Sequence, residues 1–193
     1  MGSAHPLTAP RWPHNSMYVI SDQGRVIDRY DKRICSNTEV SHWYTPGSRP
    51  TVLDLDGYRF GVATCIEINF PHLFTAYADL GVDCVLLPTY PVDAIFRTKA
   101  RALAAINCSW IAVCSVAQRR DLFASELIGP DGSSLGTVED ERIPLVGEID
   151  RDDPAFEIPL ALARPWRARA RQRAFDSPHA PTDDVRSVDR TAL

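Results

Sequence analysis

Cys65 is the residue whose type and position could do chemistry most directly. It ends the apolar stretch 58–64, which is predicted to be a strand, and it precedes a helix predicted to begin at Pro71. A strand end places a side chain where α/β proteins build their sites, and a helix N-terminus nearby favours a thiolate. Glu67, two residues further on, opposes that effect unless its carboxylate points elsewhere. Position alone leaves a nucleophile and a buried structural cysteine both open.

The other four cysteines carry weaker signals. Cys84, Cys108 and Cys114 lie inside apolar stretches and are predicted to be core residues. Cys35 falls in a loop, where it and His42 are too few for a metal site, so we expect neither a metal nor a cofactor. The odd number of cysteines and the apparent lack of an export signal predict free thiols and a cytoplasmic location.

Rival cysteine chemistries can be compared with the residues around Cys65. A Cys-x-x-Cys redox pair would need a cysteine where Ile68 stands, and a Cys-x5-Arg phosphatase loop would need an arginine at Pro71. A thiol hydrolase would need a histidine partner, and His72 or His42 could serve. Neither histidine lies in a recognisable local motif, so a Cys–His pair stays open as an alternative.

The elements that must position Cys65 follow from hydrophobic periodicity, which predicts hairpins mixed with strand–helix–strand units. Helices are expected from Pro71 to residue 80, ended by Gly81, and over residues 97–107. Strands are expected at 16–20, 25–30, 51–56, 58–64, 84–87, 110–116, 125–128, 134–138 and 146–149. This order is typical of a layered α/β domain.

Several segments show no such periodicity. Residues 1–14 hold three prolines and are predicted to be a loose leader, and residues 33–50 are predicted to be a long loop. Residues 164–173 carry five arginines, which indicate a solvated tail or an oligomer contact. Residues 174–193 are predicted to be disordered, so the domain is expected to span residues 15–173.

Length and composition limit the classes of protein to consider. The 193 residues suit one domain, and 45% hydrophobic with 24% charged residues is ordinary for a globular protein. A net charge of −4 gives no reason to expect a nucleic acid or an anionic membrane as partner. No apolar run approaches the roughly 20 residues that a transmembrane helix needs.

Six segments, in order, resemble landmarks of the nitrilase, or carbon–nitrogen hydrolase, superfamily. Residues 61–71 read Gly-Val-Ala-Thr-Cys-Ile-Glu-Ile-Asn-Phe-Pro, which is similar to the family's nucleophile segment G…iC-x-[DE]-x-x-[FY]-P. The other segments lie at 15–32, 39–47, 81–88, 101–107 and 125–132. Each segment alone is a weak signal, whereas six in the right order are specific. The likeness covers nearly the whole chain, from about Asn15 to about Arg169.

The resemblance implies a fold, a reaction and a set of residues. The family's fold is a four-layer α-β-β-α sandwich, usually paired in homo-oligomers, and its reaction needs no cofactor. The family hydrolyses non-peptide carbon–nitrogen bonds of small amides, nitriles or carbamoyl compounds through a covalent acyl-enzyme. On that pattern Cys65 is the nucleophile, Lys32 stabilises the developing negative charge, and Glu39 helps to position the site.

Lys32 has independent support from the composition. Lys32 and Lys99 are the only lysines, and Arg29 and Arg33 lie close to Lys32 in the sequence. A lysine in that setting indicates that a compact ammonium, rather than a planar guanidinium, is required there. A solvated surface charge is the alternative.

One catalytic residue of the family has no counterpart in this sequence. The family's order is a glutamate base, then the lysine, then the cysteine, but no glutamate precedes Lys32 and the first is Glu39. We therefore expect the first β-α-β portion of the sandwich to be missing and catalysis to be impaired by about 10² to 10⁴. The chain is expected to be a fragment, a mis-started reading frame or a decayed paralogue. A catalytically inactive binding or regulatory protein is the main alternative function.

Overall fold

The computed structural model describes residues 2–140 and 142–173, which form two β-sheets with helices packed on the larger one. The strands are β1 (Gly2–His5), β2 (His14–Ile20), β3 (Val26–Asp31), β4 (Val52–Leu55), β5 (Tyr58–Val62), β6 (Cys84–Thr89), β7 (Trp110–Ser115), β8 (Glu126–Ile128) and β9 (Ser134–Thr137). The α-helices are α1 (Asn37–His42), α2 (Pro71–Asp79), α3 (Ile95–Asn107) and α4 (Arg164–Arg173). Within these residues, no helix is long and apolar enough to cross a bilayer.

The larger sheet has six strands, β4 to β9, arranged in chain order, and β1, β2 and β3 form a separate antiparallel sheet. In the larger sheet β5, β6 and β7 run parallel, whereas the other neighbours pair antiparallel. Parallel neighbours need crossover connections, which α2 and α3 supply. The carboxyl ends of β5, β6 and β7 therefore meet at one edge of the sheet, where α/β proteins bind ligands. The predicted α/β class is confirmed.

The two faces of β6 are covered by different parts of the chain, because successive side chains of a strand point to opposite faces. Val85 and Leu87 are buried in a cluster with apolar residues of α2 and α3. Cys84 packs on the other face with Trp110 and Phe156, whose rings meet edge to face at 5.9 Å. Each large apolar side chain buried in this way contributes about 1.5–3 kcal/mol. Both faces thus stabilise a strand that ends at the candidate site.

Helix α2 is fixed tightly to β5. Pro71 occupies its first turn, where the missing N–H needs no partner, and Gly81 follows the helix with φ +73°. The helix lies so close to the strand that a Cβ on Gly61 would be 2.7 Å from Cδ1 of Tyr77. The Tyr77 hydroxyl donates a hydrogen bond of 2.6 Å to the carbonyl of Val62. These contacts fix the strand that leads to the predicted nucleophile.

Two segments that were expected to be irregular contain regular structure. Gly2–His5 pairs with β2 as a strand, although a loose leader is predicted over residues 1–14. An edge strand needs only backbone hydrogen bonds to its neighbour, so it can form without an apolar pattern. Helix α1 lies in the predicted loop 33–50, because Ser36 and Glu39 form a capping box that starts it.

The prediction of a strand at 146–149 is wrong. This segment has no regular structure and runs across the face of the larger sheet. A Cβ on Gly147 would collide with the side chain of Leu127, and Ile149 packs against the apolar cluster around Trp110. Side chains stand out from the face of a sheet. A segment in contact with them cannot also pair with the edge of the sheet.

The arginine-rich segment is a helix docked on the domain rather than a solvated tail, and its role in an oligomer contact stays a prediction. Arg164 donates to a carboxylate oxygen of Asp83 at 3.1 Å, and Arg171 donates to Asp79 at 2.8 Å. Arg167 donates at 2.7 Å to the carbonyls of Ala105 and Ile106, which lie in the last turn of α3. Helix α4 is therefore docked on the domain, while the predicted disordered tail lies outside the described residues.

Candidate functional site

The carboxyl ends of β5, β6 and β7 border a cavity of about 400 Å³, a volume that suits a small organic molecule. Lys32 and Glu39, from the segment after β3, border the same cavity as Cys65. The structure therefore brings together the three residues predicted from the sequence. The other lining residues are Asn15, Thr64, Pro88, Thr89, Tyr90, Cys114, Ser115 and Val116.

Cys65 occupies a strained turn that begins three residues after the last residue of β5, Val62. It is the first residue of the 3₁₀ helix Cys65–Asn69, and its φ of +51° lies in the left-handed region. That conformation costs a residue with a side chain roughly 1–2 kcal/mol. The half-buried thiol donates a weak hydrogen bond to the carbonyl oxygen of Tyr90, with 3.6 Å between sulfur and oxygen. Strained residues beside a cavity are typical of functional sites.

Lys32 and Glu39 form an ion pair that is almost fully removed from water. The Lys32 side chain is 3% exposed, and its ammonium donates to both carboxylate oxygens of Glu39 at 2.7 Å. Asn15 donates a further hydrogen bond of 3.2 Å to the same carboxylate. The backbone N–H of Ser36 donates to Glu39 at 2.7 Å. Glu39 therefore holds the lysine ammonium at the wall of the cavity.

The surroundings of Glu39 make it a poor proton acceptor. Burial alone would raise the pKa of its carboxyl, but the hydrogen bonds from Lys32 and Ser36 hold the pKa below the ordinary value. A general base works best with a pKa near the operating pH. Glu39 is also the only carboxylate among the described residues that line the cavity. The described part of the chain thus offers an anchor for the lysine but no well-placed base.

Glu67 does not face the cavity that contains the Cys65 thiol, because its carboxylate points into the protein interior. It is fully buried and does not line the cavity. Its carboxylate accepts a hydrogen bond of 2.6 Å from the backbone N–H of Thr64 and hydrogen bonds from Tyr30. The carboxylate therefore lies behind the turn that carries the thiol.

The alternative of a Cys–His pair finds no geometric support. His72 and His42 are both exposed, and neither lines the cavity that contains Cys65. The His72 ring lies edge-on to the ring of Phe70, at a centroid distance of 6.1 Å. In the described ranges, no histidine borders the thiol's cavity, so we set this alternative aside.

Of the remaining four cysteines, two are buried, one is half-buried and one is exposed at the cavity. Cys84 and Cys108 are buried as predicted, and burial raises the pKa of the Cys84 thiol to about 12. Cys35 is half-buried, and burial together with the charge of Glu39 raises the pKa of its thiol to about 11. The core prediction for Cys114 is wrong, because Cys114 is exposed and lines the cavity at the end of β7.

Sequence reasoning missed Asn15, Thr89 and Ser115 as cavity residues. Thr89 and Ser115 are the last residues of β6 and β7, and they face each other in the parallel register. The signal that could have found them is their position at the ends of neighbouring parallel strands. Asn15 lies in β2, lines the cavity and donates a hydrogen bond to Glu39. No local pattern predicts that contact.

A metal ion finds no set of ligands in the described residues. Residues 2–140 and 142–173 contain no group of three or more histidine, cysteine, aspartate or glutamate side chains that could hold a metal. The described groups that line the cavity include a thiol, an ammonium, a carboxylate and several hydroxyl groups.

Comparison with known sequences points to one family. The sequence profile of the carbon-nitrogen hydrolase family matches residues 1–154. A chloroplastic omega-amidase of Arabidopsis thaliana is 34% identical over 119 residues, which are 55% of this chain and 31% of that protein. A 2-oxoglutaramate amidase of Bacillus subtilis is 25% identical over 150 residues, which are 74% of this chain and 58% of that protein. The chain thus spans only part of the length of these relatives.

Solved structures share the fold. An amidase from Nesterenkonia sp. matches with a TM-score of 0.62 and 22% identity, over 71% of this chain and 55% of that chain. Nit3 of Saccharomyces cerevisiae, a member of branch 10 of the nitrilase superfamily, matches with a TM-score of 0.58 and 22% identity. That match covers 66% of this chain and 49% of the other. The α/β fold predicted from the resemblance is confirmed.

Proposed function

Because this chain belongs to the carbon–nitrogen hydrolase family, we propose that Cys65 attacks the carbonyl carbon of a small amide and forms a covalent acyl-enzyme. A nitrile or a carbamoyl compound would react at the corresponding carbon. The observation that carries the proposal is the convergence of Cys65, Lys32 and Glu39 on one cavity of about 400 Å³. Such an attack requires a thiol, a nearby ammonium and a cavity large enough to hold an acyl group.

Each residue has one part in the reaction. The thiolate sulfur of Cys65 forms a bond to the carbonyl carbon, and negative charge develops on the carbonyl oxygen. The ammonium of Lys32, whose side chain is 3% exposed, stabilises that charge, and such stabilisation is strongest where the charged donor is shielded from water. Glu39 does not touch the substrate but fixes the ammonium through two hydrogen bonds of 2.7 Å.

Three proton transfers in this reaction have no well-placed group among the described residues. The Cys65 thiol must lose a proton to become the attacking thiolate, the leaving nitrogen must take one up when the carbon–nitrogen bond breaks, and the water that hydrolyses the thioester must lose one. Glu39 is the only carboxylate among the described cavity residues, and its lowered pKa suits it poorly to any of these tasks. We therefore infer that acylation by reactive acyl donors is possible, whereas turnover of amides is slow.

The substrate is proposed to be a small amide. The relatives include an omega-amidase and a 2-oxoglutaramate amidase, and a variant of the Nesterenkonia amidase is known in complex with butyramide. The partner is therefore a small molecule rather than a macromolecule. Tyr90 is half exposed at the cavity and is a candidate to contact the acyl chain, whereas Phe96 is buried in the core.

A second candidate function is binding of an acyl compound without turnover, as in a regulatory protein. The specific observation in its favour is the shortage of carboxylates at the described cavity wall. The two functions differ in the fate of the acyl group once it is attached to Cys65. A hydrolase releases the acyl group and reacts again, whereas a binding protein keeps it.

We further propose that the protein forms homo-oligomers in a reducing compartment such as the cytoplasm. All five cysteines are free thiols, which suits such a compartment. Val26 and Ile27 are 60% and 62% exposed on β3, which is an edge strand of its sheet and could pair with a second copy. Light scattering would test this, since a monomer has a mass of only 21.5 kDa.

The test is to treat the protein with p-nitrophenyl butyrate and to locate the butyryl group by peptide mass spectrometry. We expect the group on Cys65 and a loss of about 10- to 100-fold in the acylation rate in Lys32→Met. Cys114→Ala is the matched control, because it removes the other exposed thiol of the same cavity. An acyl group found mainly on Cys114, or equal rates in Lys32→Met, would contradict the proposal.

A further inference from the structure

The carboxylate of Glu67 joins two distant segments of the chain. One oxygen accepts backbone hydrogen bonds from Arg33 at 2.8 Å and Ile34 at 3.0 Å, and the other accepts one from Thr64 at 2.6 Å. The Tyr30 hydroxyl lies 2.8 Å from one oxygen and 2.7 Å from the other. Glu67 is fully buried, so water does not compete for these bonds. The contacts span more than 30 positions of the sequence.

These two segments hold the two reactive groups of the site. Lys32 lies between Tyr30 and Arg33, so its backbone is fixed on both sides by donors to Glu67. Thr64 precedes Cys65, so the strained turn is fixed by the same carboxylate. We propose that Glu67 is a positioning residue, which fixes the position of the Lys32 ammonium relative to the Cys65 thiol. This inference rests on the proposed function.

The groups that contact the Glu67 carboxylate are hydrogen-bond donors, which suits a carboxylate with two acceptor oxygens better than an amide. Arg33 donates from Nε to the Tyr30 hydroxyl at 3.3 Å, and its guanidinium lies 5.2 Å from the centroid of the Tyr77 ring. This cation balances the buried carboxylate, whose burial alone would be costly. Burial and the adjacent charge of Glu67 raise the pKa of Tyr30 far above its ordinary value. The Tyr30 hydroxyl therefore stays protonated and donates a hydrogen bond to Glu67.

Glu67→Gln keeps the shape of the side chain but removes part of this network. An amide has one acceptor oxygen for donors that now share two, and its NH₂ group would face an N–H or a hydroxyl donor. At least one donor loses its partner, and the turn at Thr64 and the segment at Arg33 can then move apart. A displacement of about 1 Å between reacting groups can lower a rate by about 10²-fold.

The test is a double-mutant cycle on the rate at which p-nitrophenyl butyrate acylates Cys65. We expect Glu67→Gln to lower the rate about 10- to 100-fold. In a Lys32→Met background the same change should lower it by less than about threefold, because the ammonium that Glu67 positions is already gone. Equal factors in the two backgrounds would overturn the proposal, since they would mean that Glu67 acts independently of Lys32.

Asp83→Asn is the control for a general loss of stability. Asp83 is 3% exposed and binds Arg151 and Arg164, but it precedes β6, about 20 Å from the cavity end of that strand. We expect it to lower the melting temperature without changing the acylation rate of the folded protein.

If Glu67→Gln does not fold, Tyr30→Phe removes one donor and should lower the rate by a smaller factor in the same Lys32-dependent way. An unchanged rate in the folded variant would overturn the proposal.

The outcomes also separate this proposal from the proposed function. If wild-type Cys65 is not acylated, or Lys32→Met acylates at the wild-type rate, the proposed function fails. If Lys32→Met is slow but Glu67→Gln is as fast as the wild type, only the positioning role of Glu67 fails.

Discussion

At the scale of single residues, the ion pair of Lys32 and Glu39 is the feature on which the site depends most. Their side chains are 3% and 13% exposed, so neither charge is well solvated. A buried ion pair adds little net stability compared with apolar residues, but the loss of one partner leaves an unpaired buried charge. The pair therefore serves to hold an ammonium at the cavity and makes each partner sensitive to the other.

We predict that Glu39→Gln destabilises the protein by about 3–5 kcal/mol, because the Lys32 ammonium is left buried without a counter-charge. The measurement is the free energy of unfolding from urea denaturation. The double variant Lys32→Met, Glu39→Leu removes both charges and should lose less stability than Glu39→Gln alone. A double variant that loses the sum of the two single losses would contradict this account.

Cys65, Lys32 and Glu39 could be predicted from the sequence because their types and order resemble a family pattern. The partners of these residues could not. Asn15 reaches Glu39 across 24 positions, and Cys114 reaches the cavity because β7 lies beside β6. Contacts of this kind depend on strand order and register, which local patterns do not carry.

At the scale of elements, α1 is a helix of six residues that presents Glu39 to the site. Such a short helix has little intrinsic stability, so its capping interactions decide whether it forms. The Ser36 side chain accepts from the N–H of Glu39 at 3.3 Å, and the Glu39 carboxylate accepts from the N–H of Ser36 at 2.7 Å. The same glutamate thus starts the helix and binds Lys32.

We predict that Ser36→Ala destabilises the protein by about 0.5–2 kcal/mol, because the first turn of α1 loses a capping hydrogen bond. Chemical denaturation gives the loss, and hydrogen exchange should show faster exchange in α1. Ser41→Ala is the matched control, since Ser41 is exposed in the same helix and should change stability by less than about 0.5 kcal/mol. Equal effects of the two changes would show that the cap does not matter.

The order of the main strands and helices could be predicted from periodicity, and the boundaries agree within a few residues. The sequence also contained a signal for α1, since Ser36 and Glu39 have the spacing of a capping box. The segment 146–149 misled the prediction because Ile149 packs on the face of the sheet, whereas Val146 is 88% exposed. Periodicity cannot distinguish such a segment from a paired strand.

At the scale of the whole molecule, the carboxyl-terminal segment is fixed to the domain through Asp83. Arg151 donates to both oxygens of Asp83, at 3.1 and 2.6 Å, and Arg164 donates at 3.1 Å. Burial alone would raise the pKa of the Asp83 carboxyl, but these hydrogen bonds hold it below the ordinary value. The pKa values of Asp31, Glu39 and Glu126 are lowered in the same way.

We predict that the free energy of unfolding falls as the pH is lowered from about 5 to 3. The unfolded chain takes up protons at the ordinary pKa values of about 4, whereas the native carboxylates resist protonation to lower pH. The stability from these groups is therefore present above pH 5 and lost as the pH falls through their native pKa values. Urea denaturation at several pH values gives the slope, which Asp83→Asn should reduce. A free energy of unfolding that is constant from pH 7 to 3 would contradict this.

The most direct test of the central claim is the time course of p-nitrophenol release when the protein reacts with p-nitrophenyl butyrate. p-Nitrophenolate leaves without needing a proton, so Cys65 can be acylated without a general acid. We predict a burst of about one equivalent per chain, and then turnover slower by about 10² to 10⁴ because none of the described cavity residues is a base suited to activate water. Cys65→Ala should abolish the burst. Sustained release at the burst rate, or no burst in the wild type, would contradict the account.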